Sequence, residues 1–230
     1  MSPRPRTNER QPNLQEAIKD TAWKQIAESG SASLSLRAIA RELGITAPAI
    51  YNYYPSRDDL VTALIVDAFN SLAEAQEASL AGLAQNRRAV RLSALGLAYR
   101  EWAVTYAQRY HLIFGTPIPN YTAPEEVTLP AAAKALVPLI QSIQDLASAG
   151  ELRTERLAEM PPKLKSMLGA WSEFAGGFNH DVLYLALVIW SRVHGLVMIE
   201  VSNQYPPSVQ ETGEIFKREI EMILNDYLEN

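Results

Sequence analysis

The fold is decided near the N-terminus by one stretch, residues 33–60, which reads SLSLRAIARELGITAPAIYNYYPSRDDL. Ser35 stands where it can cap a helix, and Gly44 stands where glycine can end one in the left-handed conformation without a Cβ clash. Between them, apolar residues recur at helical spacing, which predicts one buried face. These residues are Leu36, Ile39, Ala40 and Leu43. The first part of the stretch therefore predicts a short, capped helix followed by a tight turn.

A second short helix is expected directly after that turn. Thr46 can cap it, and Pro48 falls in its first turn, where a missing N–H costs nothing. Ile50 and Tyr54 share one side and are predicted to be core, whereas the N-terminal end carries small and polar residues. This order of helix, glycine turn and helix is the pattern of a helix-turn-helix that reads DNA.

The stretch ends at the start of a longer helix. Ser56 and Asp59 have the spacing of an acidic variant of the capping box. Asp58 and Asp59 also suit the positive end of the helix dipole, and we interpret this acidic pair as capping alone. The helical pattern then continues without a breaker to about residue 80.

Residues 44–60, GITAPAIYNYYPSRDDL, resemble the signature of the TetR/AcrR family of transcriptional regulators. Members of that family show a glycine turn, a Ser or Thr cap, closely spaced aromatic residues and an acidic pair before a leucine. The resemblance covers roughly residues 13–66. It implies an all-α chain, in which a three-helix helix-turn-helix domain precedes a helical ligand-binding and dimerisation domain. We expect about nine helices in all.

The rest of the chain predicts helices and shows no strand pattern, internal repeat or low-complexity tract. We expect a flexible basic arm over residues 1–12, the DNA-binding domain over 13–57 and the ligand-binding and dimerisation domain over 58–230. The first helix is expected to run from Asn13 to about Ser29, with Trp23 in the core. Further helices and one loop (115–130) are predicted from periodicity and breakers. These helices span residues 87–114, 131–149, 161–174, 181–201 and 208–228.

Charge is divided unevenly along the chain. The net charge of -5 would by itself argue against a nucleic-acid binder. Residues 1–57, however, hold eight Lys or Arg and five Asp or Glu, a net charge of +3, so the remaining residues carry -8. A basic head on an acidic remainder is the asymmetry expected when one end of a protein meets DNA phosphates.

Composition also disfavours several classes of protein. Cysteine is absent, which excludes disulfides and thiolate chemistry and fits a reducing cytoplasm. The first 13 residues contain no apolar segment, so we expect no secretory signal. The most apolar segment, residues 182–199, is interrupted by Ser191, Arg192 and His194, so we expect no membrane partner. The three histidines lack metal-ligand spacing. We therefore expect a cytoplasmic protein that is not an enzyme and holds no metal or cofactor.

The predicted DNA contacts lie on the two short helices. The Thr46 hydroxyl can reach a phosphate, and Arg37 can anchor the DNA backbone from the preceding helix. Ala47, Pro48 and Ala49 offer apolar surface suited to thymine methyl groups, and Asn52 can pair bidentately with adenine. The alternative for Thr46 is capping alone.

The family resemblance adds three residues to this set. Tyr53 occupies the position where the family places a phosphate-binding His or Tyr, and Arg57 matches a Lys or Arg that contacts phosphate. Tyr51 matches a tyrosine that touches phosphate or base. The alternative for Tyr53 is packing alone.

Aromatic residues of the later helices suggest a small-molecule site, because aromatic walls with a few polar tips suit an apolar or amphipathic ligand. The alternative is that most of them are ordinary core. The candidates are Trp102, Tyr106, Tyr110, Phe114, Trp171, Phe174, Trp190 and His194.

Taken together, these patterns predict a TetR-like homodimeric repressor that a small, largely apolar effector releases from double-stranded DNA. A dimer needs a palindromic operator whose half-sites lie roughly 34–36 Å apart. The last two helices of each subunit are expected to pair across the twofold axis. Two alternatives remain open, a helical small-molecule carrier and an activator with the same DNA-binding head.

Overall fold

The computed structural model describes residues 11–153 and 159–229. These ranges contain ten α-helices and one turn of 3₁₀ helix, Ser31–Ser33. The α-helices are α1 (Gln11–Ser29), α2 (Leu36–Glu42), α3 (Ala47–Tyr51), α4 (Arg57–Ser79), α5 (Arg88–Thr105), α6 (Ala107–Phe114), α7 (Glu125–Ser148), α8 (Pro162–Ala175), α9 (His180–Val201) and α10 (Thr212–Tyr227).

The predicted all-α class is confirmed. No β-strand occurs in the described ranges, where Leu152 and Leu228 form an isolated antiparallel bridge. The number of α-helices there is ten instead of about nine. The segment expected to be one helix over 87–114 is two helices, because Tyr106, with φ −120° and ψ 51°, ends α5 before α6 begins.

The starts of two helices differ from the prediction. Helix α1 begins at Gln11 and not at Asn13, so residues 1–10 of the predicted basic arm are the part that lies outside the described residues. Helix α7 begins at Glu125 and includes Pro130, so the predicted loop over 115–130 ends at residue 124. Glu125 and its acidic neighbour stabilise a helix N-terminus by their charge, which moves the start of α7 ahead of the proline.

The chain forms two compact units. The head comprises the described residues up to Ala68 together with Gln108–Leu129, and the body comprises Phe69–Ala107 and the described residues from Pro130 onward. Helix α4 begins in the head and ends in the body. The domain boundary after residue 57 stays a prediction, and the compact unit that contains the helix-turn-helix extends beyond it.

The core of the head joins the helix-turn-helix to residues from much later in the chain. Its buried side chains include Ile18, Trp23, Ile26, Leu36, Ile39, Ile50, Tyr54, Leu60 and Leu64. The guanidinium of Arg109, in α6, lies 5.3 Å from the ring centroid of Trp23. Tyr110 is fully buried, and the hydroxyls of Thr62 and Tyr121 are hydrogen-bonded at 2.9 Å. The head is therefore more than the three-helix domain that the local pattern predicts.

Helix α9 is the central helix of the body and packs against α5, α8 and α10. Its buried residues are Val182, Leu183, Leu185, Ala186, Ile189, Val193 and Val197. Three apolar side chains on the same helix, Tyr184, Leu187 and Ile199, are each 37% exposed. One chain therefore leaves part of this apolar helix uncovered.

Helix α9 is also the one helix in the described ranges that is long and apolar enough to cross a membrane, judged by length and composition alone. Its Arg192 pairs with Glu219 at 2.5 Å and with Asp226 at 3.3 Å, both on α10. A central helix with these neighbours has the surroundings of a core helix in a helical domain.

Candidate nucleic-acid interface

The turn between α2 and α3 has the geometry that its sequence predicts. The Ser35 hydroxyl accepts a hydrogen bond from the Ala38 N–H at 3.4 Å, which caps α2. Gly44 has φ +65°, and the Ile45 N–H donates to the Ala40 carbonyl at 2.9 Å. This bond spans six residues and closes a Schellman motif at the end of α2. The Ser35 cap and the Schellman motif at Gly44 therefore fix the two ends of α2 and with them the point where α3 starts.

Helix α3 starts at the predicted place, but one detail of its cap differs. Thr46 is the N-cap residue, yet its hydroxyl makes no capping hydrogen bond. The Thr46 carbonyl instead accepts from the Ala49 N–H at 3.0 Å, and Pro48 sits in the first turn. Thr46 therefore occupies the predicted N-cap position without a capping hydrogen bond from its hydroxyl. Its contact with phosphate stays a prediction, and the exposed hydroxyl is compatible with it.

The α3 region divides cleanly into a buried and an exposed side. Ile50 is fully buried and Tyr54 is 4% exposed, so both are core as predicted. The exposed side chains include five of the predicted DNA contacts, namely Arg37, Thr46, Ala47, Tyr51 and Asn52, and also Pro48. Tyr51 is 39% exposed, whereas Ala49 and Tyr53 are half-buried. The exposed predicted contacts therefore lie on one short surface, which is formed by α3, its two caps and the neighbouring α2.

Arg57, at the start of α4, already has partners inside the head. Its Nη2 donates to the carbonyl of Ser31 at 3.1 Å and to that of Ala32 at 3.4 Å. Its Nη1 lies 3.4 Å from Asp58 Oδ1, and its side chain is 28% exposed. The guanidinium thus ties the turn between α1 and α2 to the start of α4. Its predicted contact with phosphate stays a prediction beside this structural role.

The predicted capping box before α4 is confirmed. The Ser56 N–H donates to Asp59 Oδ2 at 2.8 Å, and the Asp59 N–H donates back to the Ser56 hydroxyl at 3.2 Å. Both donors belong to the start of the helix, where backbone N–H groups otherwise lack partners. The position of α4 is therefore set by residues within one turn.

One exposed cation of this surface was not among the predicted contacts. Arg41 is exposed and lies one turn after Arg37 on α2. Residues four apart share a helix face, so the two guanidinium groups project from the same side of α2. The i, i+4 spacing was a usable signal in the sequence. The contribution of α6 to the head had no such local signal.

The predicted ligand-binding aromatics do not form a single group. Tyr110 and Phe114 belong to the head, where their ring centroids are 5.2 Å apart. Trp102 and Tyr106 belong to the body, with centroids 6.1 Å apart, and the Trp102 Nε1–H donates to the Ser71 hydroxyl at 3.0 Å. Trp171 is half-buried in the body, while the side chain of Phe174 lies outside the described residues. The set thus divides between two units.

The remaining two candidates lie together in the body. The rings of Trp190 and His194 are 4.9 Å apart, and His194 Nδ1 is hydrogen-bonded to the Tyr99 hydroxyl at 2.8 Å. Burial lowers the pKa of His194 below its ordinary value of 6.5, so the imidazole is neutral near pH 7. This cluster offers aromatic surface with a neutral polar group.

Two surface hollows of the body are lined by other residues. One has a volume of about 540 Å³ and is bordered by residues between Glu159 and Asp181. The other, of about 490 Å³, lies where α9 leads into α10 and includes Val104, Glu200 and Tyr205 in its wall. None of the seven candidates whose side chains are described borders either hollow. Over residues 11–153 and 159–229, no three His, Asp or Glu side chains gather as metal ligands.

Known proteins resemble this chain over nearly its whole length. HTH-type transcriptional regulator Rv1816 of Mycobacterium tuberculosis is 29% identical over 212 residues, which are 92% of this chain and 91% of that protein. SCO4313, a protein assigned as a regulator, has a crystal structure with 33% identity and a TM-score of 0.78, covering 96% of this chain and 100% of its own. A solved complex of SmeT with triclosan shares the fold at 14% identity and a TM-score of 0.65, over 95% of this chain and 93% of SmeT.

Family descriptions match both parts of the sequence. Residues 18–64 match bacterial regulatory proteins of the tetR family, and residues 92–223 match the tetracyclin repressor-like C-terminal domain. The second match alone spans more than half of the chain. The resemblance inferred from residues 44–60 is therefore confirmed, and the chain belongs to the TetR family of DNA-binding transcriptional regulators.

Proposed function

We propose that this chain is a homodimeric repressor that a small, largely apolar ligand releases from a palindromic operator. The observation that carries the proposal is the exposed surface of α3, with Arg37 and Arg41 exposed on the helix that packs against it. In a helix-turn-helix the second helix lies in the major groove, and the first crosses the DNA backbone. Cations on α2 then meet phosphates while α3 faces the bases.

Dimerisation is supported by the uncovered apolar side chains of the last two helices. Leu187 and Ile199 on α9 are each 37% exposed, and Met222 on α10 is 43% exposed. A twofold axis places the same patch of both subunits against itself, so two copies form a four-helix interface. The two heads of such a dimer meet half-sites roughly 34–36 Å apart, which accounts for a palindromic operator.

Ligand release is supported by the chemistry of the body and by one structural relative. The cluster of Tyr99, Trp190 and His194 combines aromatic surface with neutral hydrogen-bonding groups, which suits a small apolar molecule with one polar end. SmeT, which shares this fold, is the protein of the triclosan complex. A ligand that prefers the conformation with low DNA affinity weakens DNA binding by reciprocal coupling. We further infer that the protein acts in the cytoplasm and catalyses no reaction.

Selection from a random DNA pool tests the DNA-binding part. We expect the purified protein to enrich one near-palindromic sequence, with an affinity that falls steeply with salt, by roughly 0.9 in log–log slope per phosphate neutralised. Tyr53→Ala is expected to weaken all sequences alike. If no sequence is enriched, or if binding is independent of salt, the DNA-binding proposal fails and a small-molecule carrier becomes the better interpretation.

Sedimentation of a charge variant tests the dimer. Leu187→Glu places a carboxylate in the uncovered patch of α9, so we expect monomers and a large loss of operator affinity. Leu97→Glu is the matched control, because Leu97 is similarly exposed, at 39%, on α5. A Leu187→Glu variant that sediments like the control would exclude this face as the interface.

A reporter gene behind the selected operator tests repression and release. We expect low expression with the intact protein and higher expression when an effective apolar compound is added. A panel of small phenols, with triclosan as one member, is a first set of probes. Expression that rises with the protein alone would identify an activator.

A further inference from the structure

The α3 part of the DNA-facing surface carries no charge. Residues 43–56 contain no Lys, Arg, Asp, Glu or His, and they include the whole of α3. The exposed side chains on α3 and at its two caps are Thr46, Ala47, Pro48, Tyr51 and Asn52. A side chain that can place a cation in the major groove is therefore absent from the helix that faces the bases.

The cations that flank this surface have other positions or partners. On the C-terminal side, the Arg57 guanidinium donates to the carbonyls of Ser31 and Ala32, at 3.1 and 3.4 Å. On the N-terminal side, Arg37 and Arg41 project from α2, which in a helix-turn-helix crosses the phosphate backbone. Neither side supplies a free cation to the base edges in front of α3.

The missing cation matters because an Arg or Lys on guanine O6 and N7 is the commonest base-specific contact. The contacts that remain are apolar contact with the thymine 5-methyl group and the bidentate pairing of Asn with adenine N6 and N7. Ala47 and Pro48 are small, exposed and apolar, which suits the first contact, and Asn52 suits the second.

We propose that the head reads its operator through thymine methyl groups and adenine edges, and not through guanine. The inference rests on the proposed DNA-binding function and states which bases that surface recognises. Of the three apolar residues that the sequence offers for this contact, Ala49 is half-buried, so Ala47 and Pro48 are the two exposed ones.

Base analogues in the selected operator test the proposal directly. Replacing thymine by uracil in both half-sites removes only the methyl groups, and we expect about a fourfold loss of affinity for each buried methyl. Replacing guanine by 7-deazaguanine removes the N7 acceptor, and we expect a change of less than about twofold. A strong loss with 7-deazaguanine, or none with uracil, overturns the proposal.

Matched variants connect the effect to α3. Ala47→Gly is expected to lose the part of the difference between thymine and uracil operators that comes from the methyl group facing Ala47, while the contact of Pro48 remains. Ala47→Arg supplies the missing cation, and renewed selection is expected to yield guanine at the position that Ala47 faces. Arg37→Ala is the control, because loss of a phosphate contact weakens thymine and uracil operators equally. Circular dichroism at the assay temperature shows whether each variant is folded.

The outcomes separate this inference from the function on which it rests. If selection yields no operator, the proposed function fails and the inference fails with it. If an operator is selected and proves insensitive to uracil, or depends on guanine N7, the protein is a DNA-binding regulator that reads its site differently. In that case only the inference fails.

Discussion

The helix-turn-helix within the head and the body are both helical, yet the polar bonds that shape them bridge very different lengths of sequence. In the helix-turn-helix, Ser35 accepts from the residue three positions on, and Ser56 and Asp59 cap each other. In the body, Arg100 pairs with Glu200 across 100 residues. Local bonds can form before the chain has collapsed, whereas the body gains its bonds only when distant helices meet. The two regions therefore respond differently to substitution.

Core truncation in each region gives the largest expected effect. Ile50 is fully buried in the head and Ile189 is 4% exposed in the body. Replacing either by alanine leaves a cavity and should cost about 2–5 kcal/mol in the free energy of unfolding. Ile50→Ala should also abolish operator binding, because Ile50 holds α3 in place, whereas Ile189→Ala should retain it. Urea unfolding and fluorescence anisotropy measure the two quantities, and equal losses of DNA affinity would contradict the comparison.

Removal of the long-range ion pair comes next. Arg100 donates to both carboxylate oxygens of Glu200, which is 13% exposed and also accepts from the Thr212 hydroxyl at 2.6 Å. Glu200→Ala leaves a partly buried guanidinium without its partner and should cost about 2–3 kcal/mol, somewhat less than a fully buried pair. Glu221→Ala is the control, since its pair with Arg218 is exposed and should contribute under about 1 kcal/mol.

The same carboxylate gives the body a dependence on pH. Burial favours the neutral acid, but hydrogen bonds from Arg100 and Thr212 and the charge of Arg100 outweigh it, so the pKa of Glu200 lies below its ordinary 4.5. Its contribution is therefore present above pH 4.5 and is lost as the pH falls through the lower, folded pKa. The difference in unfolding free energy between wild type and Glu200→Gln should shrink over that range. A difference that grows towards low pH would contradict this assignment.

Glycine substitutions give a smaller effect and a sharper comparison. Gly44 in the head has φ +65° and Gly150 in the body has φ +70°, and neither has a neighbour that an added Cβ would meet. Alanine at either position should cost about 1–2 kcal/mol through backbone conformation alone. Only Gly44→Ala should lower operator affinity, because this glycine sets the angle between α2 and α3. Similar losses of affinity for both variants would show that the head depends on the stability of the whole chain.

Substitutions of Arg57 are expected to have the smallest effect, and Arg57→Ala separates the structural role of this residue from its phosphate contact. Lysine keeps the charge but loses the planar fork that reaches the carbonyls of Ser31 and Ala32, so stability should fall by about 1 kcal/mol. Because lysine keeps the charge, the salt dependence of DNA binding should stay unchanged in Arg57→Lys. If the guanidinium serves the head alone, Arg57→Ala also leaves the slope of log affinity against log salt unchanged. A slope that falls by about one in Arg57→Ala would instead support the phosphate contact.

The accuracy of sequence reasoning differed between these regions for a physical reason. The caps at Ser35 and Ser56 and the turn at Gly44 involve residues within one helical turn, so their spacing alone revealed them. The break at Tyr106 escaped prediction, since apolar periodicity continues through it. The start of α7 at Glu125 was not predicted, because Pro130 was interpreted as a helix breaker and the acidic pair before it was not interpreted as a helix start.

The sequence by itself determined the helix-turn-helix, the all-α class and the family, because each depends on short spacings and on the types of residue at them. Only the tertiary structure decided that α6 joins the head, that the Arg57 guanidinium turns inward and that α9 keeps an uncovered apolar side. These features depend on contacts between residues tens of positions apart. The contact energies there exceed any local preference, and no short pattern in the chain encodes them.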